Sequence, residues 1–165
     1  MVDGNRLVEV NIDAHNMPLA SREVQQERDV AIYDLLLDNR FSIPDRDGKS
    51  APPGPYRLWL GLLNNRLVFR ISTESSRDFV EFHLSMNPFR MVLKNYLRIL
   101  ESYNTAVKTL PRHQIEVFDQ ARNKIHNEGA EILQQKLENR IDIDQITARR
   151  LFTLVFALGR TMRLP

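Results

Sequence analysis

No cysteine occurs among the 165 residues. That absence excludes disulfide staples, thiolate zinc sites, iron–sulfur clusters and a cysteine nucleophile together, and it fits a reducing compartment. Glycine is scarce, with six residues in the chain, and none sits in the spacing of a P-loop or a dinucleotide-binding turn. Gly-x-Ser-x-Gly and paired-carboxylate signatures are missing as well. The four histidines, His15, His83, His113 and His126, are scattered over a loop, a strand and two helical regions, whereas a metal site needs three or four convergent ligands. Neither a metal nor an organic cofactor is expected.

Charge of one sign is also lacking: 23 Lys+Arg against 21 Asp+Glu leave a formal net charge of +2, which argues against a protein that coats a polyanion. The longest apolar run, Leu151 to Leu158 broken by Thr153, falls far short of the ~20 residues that span a bilayer. Residues Met1 to Arg6 do not resemble the start of a secretory signal. These absences predict a cytoplasmic protein without a membrane segment. A hydrophobic content of 42% is enough to close one core, so residues 1–165 are read as a single domain.

Periodicity then supplies the elements. Val8, Val10 and Ile12 alternate along a short first strand. Ser21 is a suitable N-cap for a helix from Arg22 to about Asn39 that buries Val24, Ala31, Ile32, Leu35 and Leu36. Residues 44–55 hold four of the eight prolines and are expected to form a mobile connector. Asn64-Asn65 suits the positive φ angles of a two-residue hairpin turn. With the turn there, Leu62/Leu67, Leu60/Phe69 and Leu58/Ile71 pair on one face, and Ile71/Val80, Phe69/Phe82 and Leu67/Leu84 extend that face into a third strand. Trp59, Arg70 and Glu81 then form a row on the other face.

Three helices follow. Asn87-Pro88 opens one whose stripe runs from Phe89 through Val92, Leu93, Tyr96, Leu100 and Tyr103 to Val107. Pro111 opens the next, through Ile115, Phe118, Ala121, Ile125, Ile132, Leu133 and Leu137. Its Gly129, costly in a helix interior, predicts a close helix crossing. Asp142 or Asp144 caps the last helix, which is apolar nearly all round and therefore belongs in the core. The fold class is α+β: two layers, with an antiparallel meander of three to four strands packed against four helices.

Several runs in this order resemble one known family. They are Glu27 to Leu36, Gly54 to Leu58, Asn65 to Phe69, Glu101 to Tyr103, Ile125 to Gly129 and Thr147 to Val155. Together they are similar to the small alphaproteobacterial proteins of uncharacterised protein family two-six-two. The resemblance covers about Ser21 to the last helix and implies a cytosolic bacterial protein with no catalytic motif or cofactor attached to it.

Four groups of residues are candidates for function. Arg122, His126, Asn127 and Glu128 form a polar cluster around the one histidine suited to general acid or base work; the alternative is a structural bond between helices. Thr147, Arg149 and Arg150 stand at the start of the last helix, where free N–H groups favour an anion or a partner carboxylate. The alternative there is an internal ion pair to Glu27 or Asp34 on the first helix. Trp59, Arg70 and Glu81 suit a cation–π anchor at an interface. Arg90, Lys94 and Arg98 recur every four residues, as a ridge that follows a nucleic-acid backbone would. The first-ranked function is a binding or regulatory module that pairs with itself as a homodimer or with a protein partner. A nucleic-acid binder is the alternative, and an enzyme centred on His126 ranks third.

Overall fold

The computed structural model describes residues 4–13, 22–74 and 76–159; His15 and the expected N-cap Ser21 lie outside them. The elements in chain order are β1 (Leu7–Ile12), α1 (Arg22–Leu37), β2 (Phe41–Ser42), β3 (Tyr56–Leu63), β4 (Arg66–Thr73), β5 (Ser76–Ser85), α2 (Arg90–Thr109), α3 (Arg112–Leu137), β6 (Asp142–Ile143) and α4 (Gln145–Gly159). A four-stranded sheet runs in the order β1-β3-β4-β5, and β2 pairs with β6 in a separate two-stranded ribbon. Among the described residues no helix is long and apolar enough to cross a membrane.

The meander pairs as the alternation predicts. Asn64 and Asn65 take φ angles of 51° and 63°, both in the left-handed region that a tight hairpin turn requires. The register follows: Leu62 opposes Leu67, Leu60 opposes Phe69, and Leu58 opposes Ile71. Across the next pair Phe69 opposes Phe82 and Arg70 opposes Glu81. Leu58, Leu60, Leu67, Phe69, Ile71 and Phe82 are buried on the face that shares one core with the helices.

The sheet is mixed, because β1 joins β3 in parallel, with a register shift between Leu7 and Glu9. Parallel neighbours need a long crossover, and α1 together with the segment up to Pro55 supplies it. Asn39, just past α1, fastens the crossover: its Oδ1 accepts from the Leu7 N–H at 2.7 Å, and its amide group donates to the carbonyls of Leu7 and Leu35 at 3.0 and 2.7 Å. The connector is also tied at two points. Asp45 Oδ1 accepts from the Ala51 N–H at 2.8 Å, and the Tyr56 hydroxyl donates to the Pro52 carbonyl at 2.8 Å.

In the helical layer, α2 buries Val92, Leu93, Tyr96 and Leu100, but the expected stripe gives out at its end, where Val107 is exposed. A 3-10 turn at Asn87–Phe89 precedes α2, and Asn87 accepts from Asn65 of the hairpin turn rather than capping. Asp144 is the residue that caps α4, its Oδ1 accepting from the Thr147 N–H at 3.0 Å. Every residue of α4 from Leu151 to Gly159 is buried, and α4 packs on α1, α3 and β3.

Gly129 is what lets α3 approach α4. A Cβ placed there would lie 2.3 Å from Phe152 Cε1 and close to two further atoms of the same ring. Phe152 is wholly buried, so the ring has no free space into which to retreat. Gly129→Ala should therefore destabilise the fold by about 2–3 kcal/mol despite the better helix propensity of alanine. Chemical denaturation checks this, and a stabilised variant would mean that the crossing is looser than described.

Candidate functional site

The polar cluster forms where α1, α2, α3 and α4 meet, and it gathers residues from two of the four candidate groups together with the expected partner Glu27. His126, on α3, stands one turn from Arg122 on the face that meets α4. Its Nε2 lies 2.7 Å from the Thr153 hydroxyl oxygen. Its Nδ1 accepts from Arg149 Nε at 3.3 Å. The second bond assigns the tautomer: Nδ1 is the acceptor, so Nε2 carries the proton and donates to Thr153. The Thr153 hydroxyl in turn donates to the Arg149 carbonyl one turn back, at 3.3 Å. The ring lies against Tyr96 and Phe152, with centroids 5.7 and 5.8 Å away.

Both nitrogens of this imidazole are thus occupied within the protein. Burial, then the positive charges of Arg149 and Arg122, pull the His126 pKa down from 6.5 to about 4. It is a neutral histidine at physiological pH.

Beside it lies an ionic triad. Glu27 of α1 pairs through Oε1 with Arg122 of α3 and accepts through Oε2 from the Tyr96 hydroxyl of α2 at 3.2 Å. One carboxylate thereby joins three helices. Burial, then the Glu27 charge, push the Tyr96 phenol up to about 12. Arg122 also lies over the Tyr103 ring at 5.7 Å. A groove of about 270 Å³ opens above the triad, lined by Glu23, Glu27, Tyr103, Asn104 and Arg122.

The start of α4 departs from expectation. Glu27 is an ion-pair partner, but of Arg122 and not of Arg149 or Arg150. Asp34 contributes its backbone: Arg150 NH1 donates to the Asp34 carbonyl at 3.0 Å and also to the Asp38 carbonyl. The reason is the C-terminus of α1, which has no basic residue in its last turn and whose last carbonyls form the negative end of its dipole. Arg150 caps that end from across the helix interface. Arg149 reaches the other way, to His126 and at 3.3 Å to Asn123 Oδ1. Thr147 is fully buried, and its hydroxyl accepts from the Arg40 N–H at 2.9 Å. All three residues expected to meet an anion hold internal partners. Of the remaining cluster members, Glu128 is exposed, and Asn127 is half-buried with its Oδ1 lacking a hydrogen-bond partner.

Tyr96, Thr153 and Asn123 were not singled out from sequence as site residues. Tyr96 stood in an apolar stripe, where an aromatic reads as core. Thr153, the single polar residue inside an apolar run, was the available signal, since a buried hydroxyl needs partners.

The other two groups face outward. Arg70 stacks on the Trp59 indole, with Cζ 4.7 Å from the ring centroid, and pairs with Glu81. The hydrogen bond from Arg70, its largest cause, holds the Glu81 carboxyl below its ordinary value. Arg90, Lys94 and Arg98 are all exposed on α2. Among the described residues no group of three or more His, Asp or Glu is placed to hold a metal ion.

Comparison with known proteins bears on the whole of this chain. The model of the Uncharacterised protein family (UPF0262) matches residues 4–161. The chain belongs to this family. A UPF0262 protein of Ruegeria pomeroyi is 51% identical over 154 residues, which cover 93% of this chain and 96% of the relative. One of Paracoccus denitrificans is 53% identical over 154 residues, covering 93% and 95%. No solved structure matches.

The depressed His126 pKa has a consequence that can be measured. The unfolded chain takes up this proton before the folded one as pH falls, so the contribution is complete above about pH 6.5 and declines towards pH 4. Relative to His126→Gln, the parent should lose stability over that window, on the order of 3 kcal/mol at most. Denaturation curves at stepped pH check this; parallel pH profiles for the two proteins would contradict it.

Proposed function

We propose that the protein is a cytoplasmic binding module that pairs with a second copy of itself through the outer face of its four-stranded sheet. The observation that carries this reading is the Trp59–Arg70–Glu81 row. An indole lies along the sheet over Gly61, where a Cβ would meet the ring at 2.5 Å, and a guanidinium is stacked upon it. Val68, directly across from Gly61, is buried beside it. Aromatic and arginine side chains of this kind are enriched at interface centres.

Charge names the occupant. The same face carries Arg57 near Glu9 and Glu74, at 3.3 and 3.6 Å, and His83 near Glu81 at 3.5 Å. A face that mixes both signs is open to self-pairing about a two-fold axis placed so that one copy's arginines meet the other's carboxylates. The lack of cysteine supports a reducing compartment. The His126 cluster is less suited to catalysis than the third-ranked reading requires, because both imidazole nitrogens hold internal partners.

Trp59 is the sole tryptophan, so its emission reports directly on this face. The emission should shift to the blue as concentration rises, in step with dimer formation by light scattering. Arg70→Glu should give a monomer, and adding Glu81→Arg to it should restore the dimer. A parent that stays monomeric at about 100 μM, weaker than most functional homodimers, would overturn the reading.

A second reading draws on one specific observation. Arg90, Lys94 and Arg98 stand in none of the ion pairs found among the described residues, so their charge is available to a phosphate backbone. Replacing all three by alanine should then flatten the salt dependence of nucleic-acid binding by about 2–3 units. No binding by the parent at low salt would dispose of it.

A further inference from the structure

The connector and the β5 edge of the sheet enclose a second cavity, of about 310 Å³, away from both the His126 cluster and the outer sheet face. Its floor is apolar: Ile43, Pro44, Val80 and Phe82 line it, and Phe82 is a core residue. Its rim is cationic. Arg46 and Lys49 contribute from the connector, and Arg140 contributes from the segment between α3 and β6.

These cations are placed by the backbone. Arg46 and Lys49 exchange two backbone hydrogen bonds, at 3.1 and 2.9 Å, around a tight turn whose central residues Asp47 and Gly48 have φ angles of 54° and 73°. Residues that flank a two-residue turn of this type are directly opposed, so their side chains leave on the same side. Arg140 comes from the opposite wall and lies over the Phe82 ring at 5.3 Å. Asp47 is the one carboxylate in the lining. Among the described residues none of the three cations is in an ion pair.

We infer that this cavity binds a compact amphipathic anion: an aromatic or short acyl body on the Val80/Phe82 floor, with a carboxylate, sulfonate or phosphate head held by Arg46, Lys49 and Arg140. An apolar cavity with a few convergent polar groups is the ordinary form of a small-molecule site. The excess of cations selects the sign of the head group, and the apolar floor selects a body over a bare inorganic ion. Guanidinium groups suit the planar fork of a carboxylate or the oxygens of a phosphate. The site is independent of self-association through the sheet, so either reading survives the failure of the other.

The probe is 1-anilinonaphthalene-8-sulfonate, an aromatic sulfonate whose fluorescence rises in an apolar site, with decanoate as the competing acyl carboxylate. Saturable binding to one site tighter than about 1 mM, weakened by salt and displaced by decanoate, is expected. Arg46→Glu with Lys49→Glu should weaken it by about tenfold or more, and Arg140→Glu alone should also weaken it. These residues are exposed and come from two different segments, so the two variants check one another, with thermal melts to confirm folding. Lys108→Glu with Arg112→Glu makes the same change of charge at the exposed junction of α2 and α3 and should leave the affinity within about twofold. Non-saturable fluorescence, or equal weakening by this control, would overturn the assignment. Displacement by decanoate but not by inorganic phosphate supports it; displacement by phosphate alone refutes the apolar floor as part of the site.

Discussion

Helix α4 is enclosed on every side from Leu151 to Gly159, and the other elements are arranged by the need to surround it. A helix without a wet face requires neighbours that approach closely, and α3 manages this by presenting Gly129 to Phe152. It also requires that any polar atom it carries find a partner inside the protein. Thr153 is such an atom source, and His126 answers it. The imidazole in turn draws Arg149 across the interface, so a single hydroxyl in the wall of α4 is continuous with a chain of hydrogen bonds reaching Asn123.

The same enclosure accounts for the crosslinks at the helix ends. At the C-terminus of α1, Arg150 reaches across from α4 to the carbonyls of Asp34 and Asp38. Glu27 fixes the other side of α1 to α2 and α3 through Tyr96 and Arg122. Removing one member of a partly buried ion pair leaves the other uncompensated. This explains why so many charged side chains can surround an apolar helix without weakening it: each guanidinium has an acceptor fixed in place by another element.

Local rules made much of this legible in the sequence. The period-2 alternation around Asn64-Asn65 determined the register of β3, β4 and β5, because a slip by one residue would turn every leucine to solvent. Gly129 announced the helix crossing, and the all-round apolarity of residues 151–158 announced the position of α4. What stayed illegible depended on proximity in space. The direction of β1 relative to β3 is set by the crossover and not by alternation, which reads the same in either direction. The partner of Arg150 is a backbone carbonyl, and a carbonyl has no sequence signature. Glu27 and Arg122 were each singled out, but their pairing needed the packing of α1 on α3.

Sorting the charged groups by whether an internal partner has claimed them separates structure from surface. Arg122, Arg149 and Arg150 each hold a partner inside the fold. Arg70 is paired with Glu81 on an exposed face, a weak commitment in water that a second protein surface can exchange for an equivalent one. Arg46, Lys49 and Arg140 stand in no ion pair among the described residues and line an apolar hollow. A cation left without a counter-ion beside buried apolar surface is costly to desolvate unless an anion arrives with the covering group. An amphipathic anion would supply both at once, which is the physical basis of the ligand inferred for the connector cavity.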